Sequence, residues 1–278
     1  AIEWQKASAI NVFSGVRSLT KWENQTFSAV TTDAHRWLVR GSGSRGGHHS
    51  LPREDHHFGT TGEITKKGSG RKYQVLITGG GDPSACPEKA IHSNEFVELV
   101  GWYVADGFDP NDQWGAMISQ SRSANPDNCK AIERIRRHFE SEGFVCTQYR
   151  DRESSWGVAV VWRFGKGVGE EVRLAAPSRR MTFEFMNSLT REQVAILLEA
   201  IRKGKGGKNG KSAVYSEDLH IAERVQYLCS LLGKRTCVRK SGAVYSVAVY
   251  SATGTHTGEL KMEKVKYRGV VWCPTTAN

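Results

Sequence analysis

The sequence predicts an α+β protein of two similar halves set between β-rich flanks, and three observations carry that expectation. Two amphipathic helical segments share matching cores, Ile132-Glu133-Arg134-Ile135 and Ala222-Glu223-Arg224-Val225, and each is followed by a pair of strand-like runs. Each is preceded by a helix with small residues four positions apart, Gly101 and Ala105 in the first, Ala200 and Gly204 in the second. Both flanks consist of apolar or β-branched runs without helical period. The expected domains are residues 1–90, 91–260 (halves about 91–188 and 189–260) and 261–278.

Taken in order, short strands are expected at Ala9 to Phe13, Phe27 to Val30 and Trp37 to Val39, and Gly41 to Gly47 reads as a loop. His48, His49, His56 and His57 follow it without a helix spacing or a Cys partner, so a surface loop is the expectation rather than a metal site. Tyr73 to Ile77 is a strand, and Thr78 to Glu88 breaks structure, which places a boundary near residue 90. Phe96 to Gly107 is an apolar helix, with Asn94 as N-cap, Glu95 in its acidic first turn and Gly107 as its stop. Trp114 to Ser121 is a strand. Asp127 to Gly143 is a helix, followed by strands Phe144 to Arg150 and Gly157 to Phe164. In the second half Thr190 and Gln193 form a capping-box pattern ahead of Leu197 to Gly206. Asp218 to Gly233 is again a helix, with strands Arg235 to Lys240 and Val244 to Tyr250 after it.

With 278 residues and a net charge of +10, nucleic acid is the leading partner class. Solvated surface charge is the plain alternative, and position must decide between them. Six cysteines show no C-x-x-C pair or secreted framework, which reads as reduced thiols in a cytosol. No apolar run approaches the roughly 20 residues of a membrane span, so no membrane partner is expected. The chain opens on Ala1 without Met and reads as a processed product or a fragment.

Leu99 to Gly107 (LVGWYVADG) places small, small, acid and Gly where the LAGLIDADG homing endonucleases carry them, and with the duplication the chain resembles a single-chain member of that family over residues 91 to about 260. The resemblance implies two pseudo-symmetric αββαββα halves, a monomer with internal twofold symmetry, and strands that saddle double-stranded DNA at a long specific target. It implies hydrolysis of phosphodiester bonds with Mg²⁺ held by an acid from each motif helix, Asp106 in the first, with Gly206 the matching metal position in the second. Lys205 stands where the second acid belongs, so cleavage is expected to be impaired, to nicking or to none. Arg179 and Arg180 fall where the family carries a basic residue near the active site. Gln120, Gln148, Arg150, Arg163 and Arg239 are the expected DNA-facing strand residues, since Arg and Gln read guanine and adenine edges. Lys203, Lys208 and Lys211 form a basic stretch suited to phosphates.

The flanks resemble an intein's Hint fold, cut short at both splicing ends. Thr32 and His35 match its T-x-x-H block, and Tyr267 to Asn278 its late strand block, with Cys273 at a position often filled by an acid. The chain lacks the N-terminal nucleophile and the terminal His-Asn pair that splicing requires. Unpaired flanking strands would expose edges, so partial order or pairing with missing segments is expected there. The readings to separate are an intein-resident endonuclease, a DNA-binding relic, and a splicing-element fragment.

Overall fold

The structure, a computed structural model, describes residues 8–24, 26–41, 56–66, 73–77, 85–108, 115–154, 157–206, 213–250 and 254–275. In chain order the elements are β1 (Ala9–Glu23), β2 (Ser28–Thr31), β3 (Arg36–Gly41), β4 (His56–Thr60), α1 (Thr61–Thr65), β5 (Tyr73–Leu76), α2 (Asn94–Asp106), β6 (Gly107–Phe108), β7 (Ala116–Ser121), α3 (Pro126–Ser141), β8 (Cys146–Ser154) and β9 (Gly157–Phe164). They continue with α4 (Val168–Ala175), a 3-10 turn (Pro177–Arg179), α5 (Phe183–Asn187), α6 (Arg191–Lys205), β10 (Ala213–Ser216), α7 (Leu219–Leu231), β11 (Arg235–Ser241), β12 (Val244–Tyr250), β13 (Gly254–His256), a second 3-10 turn and β14 (Lys261–Thr275). None of the described helices is long and apolar enough to cross a membrane. The chain divides into two compact units, Ala1–Asp82 with Gly233–Arg235 and Tyr250–Asn278, and Pro83–Leu232 with Thr236–Val249.

Among the described residues the first unit is all β apart from α1 and a 3-10 turn. One sheet has the order β14-β1-β2, the other β13-β5-β3-β4. The flanking strands find partners within the chain, contrary to the expectation above. They pair with each other, antiparallel from Ala9 opposite Thr275 to Glu23 opposite Lys261. β1 also runs past Phe13, because fifteen consecutive partners on β14 satisfy its backbone groups where its own sequence turns polar. His56 and His57 are strand residues of β4, His57 opposite Val39, while His48 and His49 lie outside the described residues. Trp22, Val39, Ile64, Val75 and Leu260 form the small core, with the Trp37 ring stacked on Trp22 at 5.0 Å.

The second unit holds the duplication. α2 is apolar on every side and is buried accordingly, from Phe96 to Ala105 with only Glu98 less covered. Its N-cap is Ser93, whose hydroxyl accepts the Phe96 amide, so Asn94 is the first helical residue rather than the cap. Gly107 stops the helix with an ordinary φ of −73°. It must still be glycine, because a Cβ there would stand 2.3 Å from the Tyr103 carbonyl oxygen. The first sheet has the order β6-β7-β9-β8, and the second β10-β12-β11. In the second half β6 is reduced to one bridge, Gly206 to Val214, matching Gly107 opposite Ile118 in the first. The first half is αββαββα, closed by α4, whereas among the described residues no helix lies between β12 and β13.

α3 carries a charged network on its covered side. Glu133 accepts from Arg136 and Arg137 at 2.9 Å and from the Trp162 indole at 3.1 Å. The Arg136 hydrogen bond, with those of Trp162 and Arg137, outweighs burial and pulls the Glu133 carboxyl from its usual 4.5 to about 2. A folded pKa below the unfolded one stabilises above pH 4.5 and stops doing so as pH falls toward 2. Glu133→Gln is therefore expected to cost about 1–3 kcal/mol in urea unfolding at pH 7, the range for hydrogen bonds to a charged group. The gap between variant and parent should close as the pH falls through that window.

Candidate functional site

The site is built where α2 and α6 touch. A Cβ on Gly101 would stand 2.6 Å from the Ala200 Cβ, and one on Gly204 would stand 2.5 Å from the Ala105 Cβ. Only hydrogen fits at either glycine, and the two contacts exchange equivalent positions of the repeats, as a twofold axis between them requires. The helix ends consequently meet. Asp106 closes α2 and Lys205 closes α6.

Asp106 sits where helix chemistry disfavours it. A carboxylate at a helix C-terminus opposes the macrodipole, and the last turn of α2 contains no basic residue. Burial pushes its pKa up, while the charge of Lys205, a hydrogen bond from Gln120 and the charge of Arg179 pull the other way. The Gln120 Nε2 donates to Asp106 Oδ2 at 2.6 Å, and the Asn125 Nδ2 donates to Gln120 Oε1 at 3.3 Å, so the amide is oriented from behind. Lys205, by contrast, suits its place, in a last turn that also holds Arg202 and Lys203.

On the second half's side, Arg179, Arg180, Lys205, Tyr215, Ser216, Glu217 and Asp218 line a cleft of about 830 Å³ whose apolar wall is Leu219, Ile221, Val244 and Tyr245. Both arginines come from the 3-10 turn, where Ser178 and Arg179 hold φ of 49° and 65°. Left-handed backbone in residues other than glycine costs about 1 kcal/mol each. Amide bonds from Arg179 to Ala176 O and from Arg180 to Pro177 O hold the turn. Arg180 Nε donates to Asp218 Oδ2 at 2.7 Å. Burial raises the Asp218 carboxyl, but Arg180 and the His220 amide outweigh it and leave the pKa below the usual value.

The sheet register sorts the expected DNA-facing residues. Along β7, Ala116, Ile118 and Gln120 are buried while Met117, Ser119 and Ser121 are half-exposed, so Gln120 faces the helices. Its amide serves Asp106 and not a base edge. Gln148 lies opposite Trp162 on β8 and is itself exposed. Arg163 lies opposite Met117 and Thr147 and belongs to the outer face. Arg239 is exposed on β11, and Lys203 is exposed with its ammonium 3.8 Å from Glu199. Arg150 stands at the irregularity of β8 between Tyr149 and Arg152, and its side chain is outside the described residues, as are Lys208 and Lys211.

Thr32 and His35 close a turn, the His35 amide donating to the Thr32 carbonyl at 3.1 Å. Cys273 is not brought to them. It lies opposite Asn11, whereas the strand entering the Thr32 turn reaches β1 at Thr20 opposite Thr31, about 30 Å farther along β1 at 3.3–3.4 Å per residue.

The donor set does not fit a divalent metal. Asp106 brings one carboxylate whose Oδ2 already accepts from Gln120, Lys205 and Arg179 place positive charge on it, and Gly206 offers only backbone. Among the described residues, no three His, Cys, Asp or Glu side chains converge as metal ligands would.

No protein-family model matches the chain, and no curated protein matches it. Among solved structures it resembles the homing endonuclease I-DmoI in complex with DNA and Mn, at 8 % identity and a TM-score of 0.43, over 56 % of this chain and 89 % of that one. It also resembles mesophilic variants of I-DmoI, at 9 % identity and a TM-score of 0.42, over 57 % of this chain and 89 % of that one. Full-length DUF199/WhiA from Thermatoga maritima is similar at 9 % identity and a TM-score of 0.36, over 59 % of this chain and 54 % of that one. The chemistry of the site rests on the residues described above.

Residue-by-residue reading located Asp106 and Lys205 but missed Asn125, Tyr215, Ser216 and Asp218. The repeat itself could have found the last two. Ser216 sits in β10 as Gln120 sits in β7, and Asp218 caps α7 where Asn125 precedes α3.

Proposed function

We propose that this protein is a site-specific double-stranded DNA binder of the LAGLIDADG homing-endonuclease type in which double-strand cleavage has been lost. One observation carries the reading: at the meeting point of the two motif helices, an acid faces a lysine instead of a second acid. Cutting both strands requires charge stabilisation at two scissile phosphates, and a single carboxylate with cationic charge acting on it supplies at most half of a metal-holding pair. Binding survives this loss because it rests elsewhere. The +10 charge and the outer-face residues Arg163 and Arg239 give phosphate attraction and base-edge donors that do not depend on the acid.

The test is selection of duplexes from a random pool, followed by digestion of supercoiled plasmid carrying the selected site in Mg²⁺. Enrichment of one long sequence with the plasmid left unlinearised is expected. Efficient conversion to the linear form would overturn the loss of cleavage, and absence of enrichment would overturn site-specific binding.

A further inference from the structure

The cleft beside Lys205 gathers cations where the first half places its acid. Lys205 enters from the end of α6, and Arg179 and Arg180 enter from the left-handed turn. Of the two acids on the wall, Asp218 is taken by Arg180 at 2.7 Å and Glu217 is exposed, while the Ser216 hydroxyl at the floor, 5 % exposed, accepts the Asp218 amide at 3.1 Å. The opening is flanked by Tyr215, 42 % exposed on the outer face of its sheet.

A divalent cation entering here would meet three positive side chains against two carboxylates, one of them already held by Arg180. A phosphodiester meets the opposite. It is a monoanion whose oxygens match the planar donors of Arg and the compact charge of Lys, and about 830 Å³ admits it with its adjoining sugars. We infer that this cleft is a metal-free seat for one backbone phosphate of DNA, with Lys205 performing by direct contact what a metal performs in a two-acid site. The inference rests on the DNA-binding reading above. It gives the left-handed turn at Ser178 and Arg179 a use, since a relaxed turn would aim Arg179 elsewhere.

The experiment is fluorescence anisotropy of the full chain on a labelled mixed-sequence duplex, as a salt series in EDTA and again in Mg²⁺. Affinity is expected to agree between the two conditions within about twofold, since the phosphate contacts set it. Lys205→Gln should weaken binding about three- to tenfold at low salt and reduce the slope of log K against log salt by about 0.9, the value of one lost phosphate contact. Lys205→Arg should keep the slope. Binding by the unaltered protein that vanishes in EDTA would overturn the metal-free seat while leaving DNA binding intact, and so would an unchanged slope in Lys205→Gln. Failure of the unaltered protein to bind duplex at any salt would overturn the DNA reading and this seat with it.

Discussion

Lys205→Asp is expected to turn a metal-indifferent protein into a metal-dependent one. With the ammonium gone, two carboxylates end the tightly packed α2–α6 contact. Two such charges at about 5 Å repel by roughly 3 kcal/mol at an effective dielectric near 20. Partial exposure reduces this to about 1–2 kcal/mol. The metal-free variant should therefore melt about 3–6 °C below its parent, by the scaling for units of this size. Mg²⁺ should reverse the deficit, because ligand at 100 times its dissociation constant returns about 2.7 kcal/mol, and supercoiled plasmid carrying the target should now be linearised.

The pH dependence has a definite sign. Asp106 already has a folded pKa above its unfolded value, so its contribution favours the folded state below the unfolded pKa and is lost as pH rises through the folded one. A second acid beside it raises the pair further, and the metal-free variant should regain stability on acidification more than the parent does. A variant whose melting ignores Mg²⁺ and which leaves plasmid unlinearised would mean that Lys205 is not what keeps the metal out.

The halves were legible because helices announce themselves locally. Ile132, Ile135 and Phe139 repeat at helical spacing, and Gly143 and Gly233, with φ of 90° and 71°, end the second helix of each half as expected. Strand faces were less legible. Alternation along β7 allows two parities, and only pairing with β9 selects one, which turns Gln120 toward the helices. A one-residue slip exchanges every side chain between core and solvent. The β1–β14 ribbon was illegible for another reason: its partners lie at opposite ends of the chain, and no local signal links Asn11 to Cys273. The arginine pair at 179 and 180 was visible as charge, but its aim depends on a left-handed turn that Pro177-Ser178-Arg179 does not advertise.

Gly101→Val is expected to be strongly destabilising. Its Cβ alone would stand 2.6 Å from the Ala200 Cβ and 2.9 Å from the Leu197 carbonyl oxygen, so a backbone and not a flexible tip must give way. Replacing glycine inside a helix normally gains a fraction of a kcal/mol, up to about 1 for alanine. Overpacking of a closed contact costs about 1–3 kcal/mol and more when two helices must part, so the clash wins. Urea midpoints should fall with the slope unchanged, and DNA affinity should fall too, because parting the helices separates Asp106 from Lys205 and unseats Gln120. Ala200→Gly removes the methyl on the facing helix and should return part of the loss in the double variant, an interaction energy that two independent sites would not show. Additive losses, or a Gly101→Val midpoint equal to the parent's, would mean that the two helices do not meet through these residues, and the opposition of acid and lysine would lose its structural basis.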